Sequence, residues 1–422
     1  VMELSALALG FVLAAPIVVP ERNPVYAPGW SATHADASNS DYSPVPGSAR
    51  IVHAWSRSFE GMINLGPTSD GHGQLYVTTS GPGCRLHALD RATGRTLWCS
   101  DALDRLAVAS SPLLDADRNL YLADGASMHS FRHDGGKRWE TPLLGFPLSA
   151  QFAADGDLVF ITHVGVIYRL DRRTGKTVID PIELIPDPVF DPSRDALACM
   201  RGTRACPSAN TPALDRHAGR FIFTFWAPES PAAGIRSMKI LAGADAKGIT
   251  ADWTHDTLPG GSAASPSLSA DGSRVYLTDN NQRLLALDAR TGERVWSIDI
   301  GYSAGGSPSV SPDGIILPAG GGDAPLMAIR DQGNQPRLLW RRDDLQNRGI
   351  ATQTAGHLAY ATVANGDGTL DLVVVDVQTG KVHDREHLPG RPMFTVGTTV
   401  DSDGTVYVPT IRGGLHAYVP VR

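Results

Sequence analysis

The chain has 422 residues, of which 42% are hydrophobic and only 19% charged, with 44 glycines and 30 prolines. Apolar residues spread along the whole length exclude a disordered chain, and the glycine and proline content suits short strands joined by tight turns. The formal net charge is −7 and no long lysine or arginine run occurs, which excludes a phosphate-backbone footprint, so no nucleic acid partner is expected.

Residues 1–20 form an apolar segment with one charge, Glu3, and with Pro16 inside its apolar stretch. The stretch is short for a membrane span and of the right size for a signal-peptide core, although no basic flank precedes it. Export is the first reading. A membrane anchor, which would give membrane association, and a packed N-terminal segment are the other two. Residues 21–49 read as a lead-in segment, and residues 50–422 as one repeat domain.

The repeats come next. Residues 51–58, IVHAWSRS, look like an outer strand with no unit of their own to follow. The first full unit, LYVTTSGPGCRLHALDRATGRTLW, ends at Trp98 and is matched closely by VYLTDNNQRLLALDARTGERVW, ending at Trp296. Both contain A-x-D-x-x-T-G-x-x-x-W. Alternating apolar residues mark half-buried strands. Asp with Thr-Gly makes the tight turn, where Gly supplies a positive φ. The tryptophan covers a large apolar area between units. Weaker copies run through Trp139, Asp171, Trp253, Trp340 and Asp376, and the last copy ends the chain without a closing tryptophan strand. The turn that opens each unit recurs every 38 to 60 residues, the range for four-stranded propeller blades.

These units predict an all-β chain, an eight-bladed β-propeller of four-stranded antiparallel blades. The orphan strand at 51–58 would complete the last blade and close the ring, which removes open sheet edges. A seven-bladed ring would require one weak repeat to be a long loop.

Four cysteines allow three pairings. The local pairs, Cys84 with Cys99 across one hairpin and Cys199 with Cys206 around a short loop, are the simplest; free buried thiols are the other reading. Two bridges would fit an oxidising compartment. No cysteine or histidine spacing suggests zinc, and no metal site is expected.

The repeats resemble those of the quinoprotein (PQQ-like) propeller superfamily, which includes PQQ-dependent alcohol dehydrogenases and the non-catalytic assembly factor BamB, the latter closer in size. A second resemblance lies at residues 29–45, where Trp30, Asp36, Asn39, Tyr42, Ser43 and Pro44 are similar to the segment with which quinoprotein dehydrogenases lead into their propeller. That resemblance implies a channel-mouth cofactor, PQQ with calcium, held by carboxylate, amide and cationic groups. Where a glutamate calcium ligand would be expected, the chain reads GMINLGP, with Asn64, and Glu60 is the closest acid. The adjacent cysteine pair of the dehydrogenases and their capping-loop length are missing.

The residues that begin the inner strands, and so are expected to line the channel, include Asn64, Ser111, Gln151, Asn210, Ser265, Ser307, Gln353 and Thr395. None is ionisable. Charged residues expected at the channel mouth are Asp104, Arg105, Arg201, Arg204, His255, Asp256, Arg348 and Arg391. The arginines could bind an anion or a partner carboxylate; a solvated rim is the plainer reading. His34, His53 and His87 read as strand-face or loop residues, and 365–371 as a β-turn rather than a calcium loop.

The expectation is therefore an exported propeller (periplasmic, extracellular or membrane-anchored) that binds a protein partner or small ligand through its inter-blade loops, with no cofactor. A small PQQ- and calcium-dependent oxidoreductase is the second reading. A lyase or hydrolase with a channel-mouth site built around His255, Asp256 and Arg348 is the third.

Overall fold

Each repeat folds as its alternation of apolar residues dictates. In the copy that ends at Trp296, Ser267–Leu268, Arg274–Thr278, Arg283–Asp288 and Arg294–Asp299 form a four-stranded antiparallel sheet. The second and third strands are buried almost throughout and the outer strand is largely exposed, because neighbouring sheets cover the inner strands on both faces. The computed structural model describes residues 25–191, 196–208, 210–242 and 247–421. Among them are eight such sheets, the blades of an eight-bladed propeller. The apolar segment at 1–20 and the first residues of the lead-in lie outside the described residues. Among the described residues no helix is long and apolar enough to cross a membrane.

Tryptophans join one blade to the next. Trp98 Nε1 donates to the carbonyl of His133 at 2.7 Å, Trp139 to Arg172 at 3.0 Å, Trp253 to Ala289 at 3.1 Å and Trp340 to Val377 at 2.8 Å. Each acceptor lies in the tight turn of the following blade. The orphan strand behaves as expected: Ile51–Ser58 pairs antiparallel with Gly414–Pro420 and completes the last blade. Trp55 on that strand donates to the carbonyl of Arg91 in the first blade at 3.0 Å, so the same contact that links the blades also closes the circle. Both local cysteine pairs are disulfides.

One sheet departs from the four-stranded expectation. The blade built on Thr352–Ala355 has a fifth strand, Tyr42–Pro46, parallel to its inner edge. The reason lies in the backbone. The innermost strand of every blade turns an unpaired edge to the channel, and buried N–H groups need acceptors. The segment from Tyr26 to Pro46 crosses the channel and supplies them. The N–H of Ser69, Leu114, Leu214, Leu268, Val310 and Gln353, on the inner strands of six blades, donate to the carbonyls of Trp30, Ser31, Ala37, Ser38, Ser40 and Asp41 at 2.7–3.1 Å. A seventh blade is held by side chains: the Tyr26 hydroxyl donates to Gln151 Oε1 at 2.7 Å, and Gln151 Nε2 donates to Asn39 Oδ1 at 3.0 Å. The lead-in is therefore a plug, and the channel is closed rather than open.

Candidate functional site

The plug is tightly curled between His34 and Asp41. Ala35, Asn39 and Asp41 have left-handed backbones, with φ of 73°, 54° and 46°, a conformation that costs non-glycine residues energy and persists only where the surroundings impose it. Here Asp36 imposes it: its carboxylate accepts from the N–H of Ser38 and Ser40 and from the Ser40 hydroxyl. Asn39 Nδ2 donates to the carbonyls of Thr211 and Pro266, both at 3.0 Å. The curl returns the Asp41 N–H to the His34 carbonyl at 3.2 Å and sets His34 Nδ1 2.9 Å from Asp41 Oδ2.

Above this curl the channel mouth narrows to a cavity of about 160 Å³. His34 forms part of its floor. Its Nε2 lies 3.1 Å from Ser265 Oγ and 3.5 Å from Ser307 Oγ. Ser265 Oγ accepts the N–H of Thr211 at 3.1 Å, and Ser307 Oγ accepts the N–H of Ser265 at 2.9 Å. With Nδ1–H donated to the Asp41 carboxylate, Nε2 is the acceptor and the Ser265 hydroxyl the donor. Burial lifts the Asp41 carboxyl above its ordinary value, while His34 opposes that lift through its charge and hydrogen bond.

Of the residues expected to line the channel, Asn64, Asn210, Ser265, Ser307 and Thr395 line this cavity. Ser111 is buried with its hydroxyl on the Gly66 carbonyl, Gln151 is bound into the plug, and Gln353 Nε2 donates to Ser309 and to the Ile315 carbonyl. The expectation of a wholly non-ionisable lining is corrected by His34, which enters from the plug rather than from an inner strand. Nothing in the spacing of His34 points to this role; the left-handed Asn39 and Asp41 that place it are residue types that tolerate such turns. The apolar part of the lining is made by Leu65, Leu148, Met200, Ile350, Phe394, Val396 and Ile411.

The charged candidates are dispersed. Arg105 opens a short 3-10 helix, Arg105–Ala109, capped by Asp104. Arg201 and Arg204 lie in the disulfide loop, where Arg204 donates to the carbonyls of Pro228 and Ser230. Arg348 and Arg391 lie in loops leading into later blades. None of these lines the cavity. His255 and Asp256 are not mouth residues: they sit on the long outer strand Lys247–Leu258, and the His255 imidazole bonds to the Thr291 carbonyl in the next blade at 2.9 Å. That strand is the outermost of its blade, which puts both residues on the ring's periphery. The structure therefore does not bring His255, Asp256 and Arg348 together as a site.

The groups present do not fit PQQ with calcium. The cavity lining offers no carboxylate, arginine or lysine to a tricarboxylate quinone or to a hard cation. Glu60 is exposed and is not among the lining residues. Among the described residues no group of His, Cys, Asp or Glu could hold a metal ion.

Comparison with known proteins agrees with this architecture. A family model described as outer membrane protein assembly factor BamB matches residues 52–178 and 238–421. Protein Rv3035 of Mycobacterium tuberculosis is 33% identical over 402 residues, covering 93% of this chain and 96% of the relative. Among solved structures, BamB from Moraxella catarrhalis superposes with a TM-score of 0.60 at 16% identity, over 88% of this chain and all of that one. A europium-containing methanol dehydrogenase gives 0.63 at 13% identity, over 94% of this chain and 98% of that one. At such identities these two likenesses show the fold and not the activity.

Proposed function

The chain belongs to the PQQ-like propeller family described as outer membrane protein assembly factor BamB, and from that premise we propose that it is an exported binding propeller that holds the neutral end of a small, largely apolar ligand in its plugged channel, without PQQ. The observation that carries this reading is the cavity itself. Its lining is largely apolar, presents a few hydroxyl, amide and imidazole groups, and includes no carboxylate, arginine or lysine. Burying a charge without a partner is costly, whereas a neutral polar head can be matched by a few hydrogen bonds. A volume of about 160 Å³ is close to that of an engineered cavity that accepts benzene, about 150 Å³. The ligand's remainder, or a protein partner presenting such a group, would lie on the inter-blade loops. The two disulfides support an oxidising compartment.

The test is calorimetric titration of the purified chain with acetanilide and benzyl alcohol, against benzoate and benzylamine of similar size. The neutral probes are expected to bind and the charged ones not, and Ala263→Trp, on the cavity wall, should abolish binding. Absence of binding by either neutral probe, or equal affinity for the charged ones, overturns the reading. Alcohol turnover after reconstitution with PQQ and calcium would favour an oxidoreductase instead.

A further inference from the structure

Three buried side chains stand in a row that leads from the plug to the cavity. Asp41 Oδ2 lies 2.9 Å from His34 Nδ1, and His34 Nε2 lies 3.1 Å from Ser265 Oγ. All three residues are buried, at 3%, 6% and 4% exposure, yet His34 and Ser265 both face the cavity. Ser265 Oγ already accepts the Thr211 N–H, which leaves its own proton directed to the imidazole. A nucleophilic serine needs this order: hydroxyl, base, and a carboxylate that fixes the tautomer. The constellation recurs on unrelated folds and is recognised by geometry rather than by motif.

We propose that Ser265 is the nucleophile of an esterase site, with His34 as its general base and acid and Asp41 as the orienting carboxylate, acting on neutral short-chain esters. The proposal rests on the reading of the cavity as a ligand site. Ser265 Oγ attacks the ester carbonyl carbon while its proton passes to His34 Nε2. The tetrahedral adduct collapses, the ester C–O bond breaks, and the leaving alcohol takes that proton. Water then attacks the acyl-serine carbonyl and gives a proton to His34. Collapse releases a carboxylic acid and returns the proton to Ser265. The sum is one ester and one water to one acid and one alcohol. Asn64 lines the same cavity, and its Nδ2 is directed at Met200 Sδ at 2.7 Å. A thioether is a weak acceptor, so this amide is the donor free to turn to a developing oxyanion. A neutral ester suits the uncharged lining, and the carboxylate product, finding no cation there, is released.

The experiment treats the purified full chain with a fluorophosphonate and with p-nitrophenyl acetate and butyrate, and maps any adduct by peptide mass spectrometry. The expected result is one adduct, on Ser265. Ester turnover should fall by at least about 100-fold in Ser265→Ala and His34→Gln. Labelling of the unaltered chain needs no variant to fold. An adduct on another residue, or no adduct with equal turnover in Ser265→Ala, overturns the proposal. Acetanilide binding measured on the same sample separates the two readings: binding without an adduct removes the esterase alone, whereas loss of both removes the ligand site as well.

Discussion

The indole of Trp55 lies against Gly94: a Cβ placed on that glycine would stand 2.6 Å from Trp55 Cε3. Trp55 belongs to the strand that closes the ring, and Gly94, at φ 69°, ends the tight turn of the first blade. Gly83 has a similar φ of 76° but open space around it, so the two glycines separate backbone strain from contact with the tryptophan. Gly83→Ala is expected to cost about 1 kcal/mol, the low end for a non-glycine residue in this region. Gly94→Ala should cost about 1–3 kcal/mol more through overpacking. Urea unfolding of the two variants checks the difference, and equal midpoints would deny Trp55 its role in closure.

A buried guanidinium joins the third blade to the fourth. Arg169 is fully buried; its Nε donates to Asp157 at 2.9 Å, its Nη2 to Asp155 at 2.6 Å, and its Nη1 to the carbonyls of Leu241 and Gly248. Arg169→Met leaves both carbonyls without that donor, while Lys247 still pairs the two aspartates. Breaking one side of a buried pair costs about 3–5 kcal/mol, and the remaining lysine puts the expectation at about 3 kcal/mol. A midpoint within error of the unaltered protein would show that Lys247 alone suffices.

His416 makes ring closure sensitive to acid. It lies beside the closing strand, with Nδ1 2.7 Å from the Ser56 hydroxyl oxygen, and is only 5% exposed. Burial, and next the nearby His53, push its pKa down to about 4. The unfolded chain takes up this proton near pH 6.5, where the folded one refuses it. The stability it contributes is therefore full above about pH 6.5 and is lost as pH falls through about 4, by at most about 3 kcal/mol. His416→Gln should flatten the stability curve over that window. A curve of unchanged slope would place the acid sensitivity elsewhere.

The loop closed by Cys199 and Cys206 carries Met200 into the cavity wall, and both cysteines pack with Leu106, Phe146 and Leu148. Replacing both by serine frees a short loop whose closure entropy is about 2 kcal/mol. Part of that ordering would then fall on ligand binding. Affinity for acetanilide is expected to drop roughly tenfold, equivalent to about 1.4 kcal/mol, while far-ultraviolet dichroism stays that of the intact ring. Unchanged affinity would mean that Met200 is held by packing alone.

The amino-acid sequence by itself determined the ring. The blade number, the tight turns, the bridging tryptophans and the closing strand all depend on contacts inside a repeat or between adjacent ones, and a periodic pattern displays such contacts. Cys84 and Cys99 were legible for the same reason, as they face each other across one hairpin. Only the tertiary structure decided the site. His34 and Ser265 are 231 positions apart, and they meet because one short non-repeating segment satisfies the exposed inner edges of seven different blades. No periodicity encodes a segment used once, and His255 went to the periphery because it lies on the outermost strand of its blade. The repeat made the wall; the unmet hydrogen bonds of that wall drew in the plug that makes its floor.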